Sequence, residues 1–138
     1  VKASAVDTNV IIRFLVEDPE HVDAKFREVF GFFSKVEKGE VRVYLPALVV
    51  FQAFFVLTSY YEVPVPEAAT QLKEMVSLKG FILPERDVLQ RCFSILIEKE
   101  MDLVDAYLLA WSKDQNVNTV YSFDKGLAKK GLKLLPVR

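Results

Sequence analysis

The stretch Ala5-Val6-Asp7-Thr8-Asn9-Val10-Ile11-Ile12 decides the fold. A short apolar run ends in three polar residues, and a second apolar run starts at once. The first run is short enough for a buried strand. Asp-Thr-Asn directly ahead of the second is a helix N-cap signature. A strand handed to a helix through a carboxylate belongs at the carboxyl end of a parallel strand, where α/β proteins place their sites. Asp7 thus has two readings, helix cap and site residue, and this stretch alone leaves both open.

Working outward, residues 2–7 read as a central strand followed by a short helix to about Val16. Asp18-Pro19-Glu20 combines an N-cap, a Pro in the first turn and an early acid, which predicts a new helix there. Val22, Phe26, Val29, Phe30, Phe33 and Val36 form its inward face, and Lys38-Gly39 ends it. His21, the only histidine, falls among exposed charges and reads as a surface residue. Residues 41–45 alternate and are β-branched, so they predict a second strand closed by Pro46. Residues 47–60 are apolar on every side except at Gln52 and near the end, the pattern of a helix buried all round. Pro64 and Pro66 start another helix, Phe81-Ile82-Leu83 is a short strand, and residues 87–99 and 102–114 are two further helices. A strand over 119–123 runs into Asp124, followed by a short helix and an edge strand over 132–137. Strands alternating with helices argue an α/β fold with a parallel sheet covered on both faces.

Composition narrows the class. The chain has 138 residues, 51% hydrophobic and 27% charged, which suits a single globular domain with a substantial core. One cysteine, Cys92, excludes an internal disulfide and a Cys-based zinc cage, and fits a reducing compartment. No signal-peptide pattern opens the sequence and its most apolar stretch, 45–57, is too short to span a bilayer, so the expectation is a cytoplasmic protein without a membrane. Net charge is −1, which leaves no global nucleic-acid footprint, yet Lys125, Lys129, Lys130, Lys133 and Arg138 follow Asp124 with no acid among them. That basic tail is either a solvated face or a local contact for an anionic partner.

The acids form the clearest constellation. Asp7 and Asp124 each end a predicted strand, and carboxyl ends of neighbouring parallel strands share one sheet edge. Asp102 and Asp105 stand three apart at a helix start, hence on one face. Carboxylates gathered at close range repel one another and require a cation. With no cysteine cluster and one remote histidine, the ligands are hard oxygens, which suit Mg²⁺ or Mn²⁺. Asp102 reads first as an N-cap; Asp105, inside the helix, reads more readily as a ligand.

Asp7-Thr8-Asn9, Asp102-Leu103-Val104-Asp105-Ala106 and Ser122-Phe123-Asp124-Lys125 resemble, in order and spacing, the PIN-domain family, and most closely the VapC-type toxin ribonucleases. The resemblance spans essentially the whole chain and implies one PIN-like domain over 1–138, a three-layer α/β/α sandwich with a parallel sheet of about five strands. It implies an endoribonuclease in which Asp7, Asp105 and Asp124 are the catalytic and metal-holding acids for Mg²⁺ or Mn²⁺, with Asn9 and Ser122 in support. Lys125 and Lys129 are placed to meet the RNA backbone. It also implies an antitoxin protein as partner, and a homodimer would give the apolar run 47–60 a second explanation beside core burial. One position departs: the family carries a Glu on the buried helix after the Pro, and here that position is Gln52. Gln keeps an acceptor oxygen and loses a charge. Two readings follow, a site residue and a core amide satisfied by a backbone carbonyl. The second favours the rival function, an inactive or weakened module that binds RNA or protein without cutting.

Overall fold

The computed structural model describes residues 3–138. Strand β1 (Ser4–Ala5) leads into helix α1 (Thr8–Val16), and α2 spans Glu28–Lys38. Then come β2 (Val43–Tyr44), α3 (Ala47–Phe55), α4 (Val65–Val76), β3 (Phe81–Ile82), α5 (Arg86–Glu98) and α6 (Leu103–Asp114). The chain closes with β4 (Thr119–Tyr121), α7 (Gly126–Lys129) and β5 (Lys133–Leu135). All strand pairings among the described residues are parallel, as the alternation predicts. A single core draws on α1 to α6, on the strands β2 and β3, and on Val6 just after β1. Among the described residues no helix is long and apolar enough to cross a membrane.

The sheet departs from the expectation. Five strands are present among the described residues, but they form a three-stranded sheet in the order β1-β2-β3 and a separate two-stranded sheet of β4 and β5. The expected central strand over 2–7 is therefore an edge strand over Ser4–Ala5; Lys2 lies outside the described residues. Strands of two or three residues offer few ladder bonds, so the helices packed around them decide where they sit. Strand β4 also stops at Tyr121 rather than at Phe123, because the Ser122 hydroxyl accepts the Asp124 N–H (2.9 Å) and bends the chain.

Two helix boundaries move for local reasons. No helix starts at Asp18-Pro19-Glu20. The Asp18 carboxylate takes the Glu20 N–H (2.9 Å) and meets His21 Nδ1 (3.0 Å), closing a turn instead. His21 is exposed there, as read. A 3-10 turn (Ala24–Phe26) capped by Asp23 follows, and only then does α2 begin. It ends as expected at Gly39, whose φ of 76° is the left-handed cap glycine accepts without strain. The run 47–60 is not buried all round. It forms α3 and then a π-helical segment (Val56–Tyr60). Val50, Ala53, Phe54 and Leu57 enter the core, while Leu48 (77% exposed) and Tyr60 (77% exposed) face outward. Hydropathy reports that a helix is apolar, not how much core is available to cover it.

The tightest junction lies where α2, β2 and β3 meet. Gly80 donates to Val36 O (2.8 Å) and accepts from the Val43 N–H (2.9 Å). Arg86 secures the same corner from α5, donating to Val76 O (2.9 Å) and Leu78 O (3.3 Å) and also to Phe81 O. A Cβ on Gly80 would stand 2.2 Å from Val41 O and 2.6 Å from Val36 O, both backbone atoms that have no side-chain freedom to yield. Gly80→Ala should therefore destabilise the fold by about 1–3 kcal/mol, the usual cost of overpacking. Urea unfolding read by circular dichroism measures it; an unchanged midpoint would contradict this junction.

Candidate acid site

Asp7 stands where β1 hands over to α1. Its backbone is extended (φ −94°, ψ 158°), and its carboxylate accepts the Thr8 N–H (2.7 Å). It is a cap and also exposed, so both readings of the residue hold together. Thr8 beside it is buried, and its hydroxyl donates to Gln52 Oε1 at 2.8 Å. One hydrogen bond thus ties the start of α1 to the middle of α3 and brings Gln52 to the motif that carries Asp7. Gln52 itself is exposed, not a core amide, and its partner is a hydroxyl, not a backbone carbonyl.

A cavity of about 340 Å³ opens at this point, lined by Asp7, Thr8, Asn9, Arg13 and Gln52 with Ile12 and Val56. Asp7, Asn9 and Arg13 also line a second, larger cleft that runs along β1 towards Phe26 and Phe32. Asp7 is therefore reachable from two sides. Asn9 and Arg13 are four residues apart on α1, the spacing that puts them on one helix face.

The other predicted acids are not on the wall of this cavity. Asp105 sits in the first turn of α6, where helix-end N–H groups favour a negative charge. Its Oδ2 lies 3.9 Å from Lys130 Nζ, both side chains about a quarter exposed. Asp102 occupies the N-cap position of α6, as read, yet its side chain makes no capping bond. Asp124 is exposed and folds back to accept the Gly126 N–H (2.8 Å), with Ser122 supporting its backbone. Lys125 and Lys129 are exposed just beyond it. Neither cleft lined by Asp7 has Asp105 or Asp124 on its wall.

Oxygen donors surround the Asp7 cavity, namely one carboxylate and the amides of Asn9 and Gln52. The donor type suits a hard divalent ion. The charge does not, because Arg13 shares the cavity, and among the described residues no three Asp, Glu, His or Cys side chains are gathered as a metal-binding group. As placed, these residues do not fit a tightly held ion.

Sequence reading missed the partners rather than the acids. In the sequence Lys130 stands only as part of a basic tail, and Thr8 only as part of the motif. Arg13 carried a readable signal in its helical spacing from Asn9. Glu85 and Tyr107 form a further pair: the Tyr107 hydroxyl donates to the Glu85 carboxylate, and burial followed by that hydrogen bond pushes the phenol up to about 12. Tyr107 packs edge-on against Phe51 (5.2 Å), which braces α6 against the helix that carries Gln52. Cys92 is free and buried, and burial pushes its thiol up to about 12, so it is no nucleophile.

No curated protein matches the chain. A family model described as PIN domain matches residues 5–133, a span that takes in the Asp7 motif, Gln52, Asp105 and Asp124. PIN domains are a nuclease-type fold, generally RNA-cleaving and typically metal-dependent hydrolases. With its parallel strands among helices and an acid at the end of the first of them, this chain belongs to the PIN-domain family.

Proposed function

We propose that this chain is a divalent-metal-dependent endoribonuclease, using Mg²⁺ or Mn²⁺, and the toxin of a toxin–antitoxin pair in the cytoplasm. The observation that carries the reading is the PIN-domain match over residues 5–133, and the Thr8–Gln52 hydrogen bond supports it by bringing Gln52 to the cavity at Asp7. A residue kept only for packing has no need of that placement. Asp7, Asp105 and Asp124 are the proposed acids, and Asn9, Gln52, Asp102 and Ser122 the supporting polar groups. Lys125 and Lys129, exposed beside Asp124, suit contacts to an RNA backbone, which supply affinity without sequence preference. The antitoxin partner rests on the likeness of the three acid motifs to VapC-type toxins. A homodimer is supported by the outward apolar face of Leu48, Phe55 and Tyr60.

A second reading has its own observation. One carboxylate beside a neutral Gln52 and a cationic Arg13 is a weak ion site, which favours a module that binds RNA or protein without cutting.

Metal response separates the two. For the nuclease, millimolar Mn²⁺ should raise the melting temperature relative to EDTA, since a ligand bound only by the folded state adds stability. Mn²⁺ should also support cleavage of a mixed RNA pool, and Asp7→Asn should abolish it. Equal melting temperatures with no cleavage would leave the binding module.

Gln52→Glu tests the same choice from the other side. Because Gln52 is exposed, the new carboxylate is not buried, and stability should change by no more than about 0.5 kcal/mol. The Thr8 hydroxyl donates as well to a carboxylate as to an amide. A second negative charge beside Asp7 should tighten Mn²⁺ binding and raise cleavage in the nuclease. Unchanged Mn²⁺ affinity in a calorimetric titration would exclude Gln52 from the site.

A further inference from the structure

We infer that Arg13 is the residue that takes a backbone phosphate of the RNA strand at the Asp7 site, an inference that rests on the RNA reading given above. Arg13 is the cation on the walls of both clefts that meet at Asp7 and Asn9, with Lys25 and Arg42 on the larger one alone. Its guanidinium is already held in place. The Phe26 ring lies 4.2 Å beneath Cζ, and Nη1 donates to Glu17 at 2.9 Å. Among the described residues that is its only hydrogen bond, so Nε and Nη2 remain as a planar pair of donors on a side chain 38% exposed. Two parallel N–H groups of this kind match two oxygens of a phosphate, and a cation immobilised beforehand loses little freedom on binding.

Stability alone gives a poor account of the pair. Glu17 is the C-cap of α1, where helix carbonyls disfavour a negative charge. Arg ahead of Glu at this spacing is also the less favourable order along a helix. Together these make Glu17 costly where it stands, and its effect on the structure is to orient Arg13. A phosphate arriving between Asp7 and Arg13 would be met by the cation and kept clear of the acid. The basic tail near Asp124 could then hold the strand farther along.

The test is binding of a fluorescein-labelled single-stranded U-rich RNA to the full chain in EDTA, so that cleavage does not intervene, between 50 and 200 mM NaCl. Wild type should bind with a clear salt dependence. Arg13→Gln should bind about tenfold more weakly. Its slope of log affinity on log salt should be shallower by about 0.7, one phosphate contact on a single strand. Arg13→Lys should restore the slope and only part of the affinity, and Glu17→Gln should bind more tightly than wild type. Melting temperatures of the variants report folding separately. If wild type binds no RNA, the RNA reading itself falls, and the Arg13 role with it. If wild type binds and Arg13→Gln keeps the same slope, whether or not affinity drops, Arg13 is structural and this inference alone is overturned. Competition by polyglutamate as effective as by unlabelled RNA, per charge, would also overturn it, in favour of an acidic protein partner.

Discussion

Phe33 is the contact on which the placement of the acid site depends. It is 2% exposed and stacks on Phe14 of α1 at 4.0 Å with rings nearly parallel. The same ring meets Phe81 of β3 edge-on at 6.0 Å and Phe32 of its own helix at 5.5 Å. Three elements distant in sequence are thereby fixed by one side chain. Offset and edge-on aromatic contacts add about 0.5–1.5 kcal/mol per pair to the area they bury. Because α1 is a rigid rod held at Phe14, its N-terminus is held too, and Asp7 stands there. The exposed acid owes its position to a wholly apolar contact two turns away.

The second constraint is local neutralisation of charge. Each proposed acid has a partner close at hand: Asp7 the Thr8 N–H, Asp105 the Lys130 ammonium, Asp124 the Gly126 N–H. Two of these partners are backbone N–H groups within two residues of the acid, and the third is a cation from the segment after α7. This also explains the role of the second sheet. Lys130 follows α7 and precedes β5, so the pair it makes with Asp105 links the C-terminal unit to α6. The ion pair is partly exposed and long, and contributes little stability by itself.

At the cavity, polar contacts are few and each does a distinct task. Thr8 is buried with its hydroxyl directed to Gln52, so a threonine in the family-like motif becomes the link between α1 and α3. Tyr107 and Glu85 brace the far side of α3 through Phe51. Between these two supports α3 presents Gln52 to the cavity and Leu48 and Phe55 to solvent.

Much of the fold was legible in the residues because its signals are local. Helical spacing in α2, α4, α5 and α6, the cap at Asp7, the glycine at 39 and the prolines at 64 and 66 act within a turn or two. Where a competing local bond existed, as at Asp18 and Ser122, the pattern misled, since both side chains can close a turn as well as start or continue an element. By itself the sequence determined the order of elements, the acid at the end of the first strand and the polar position at Gln52. The tertiary structure alone decided that β1 is an edge, that Gln52 is exposed and bonded to a hydroxyl 44 residues away, and that Lys130 meets Asp105. The reason is the same in each case. Propensity and periodicity act over a few neighbouring residues, whereas strand pairing and long-range hydrogen bonds depend on how whole helices pack, which no short stretch encodes.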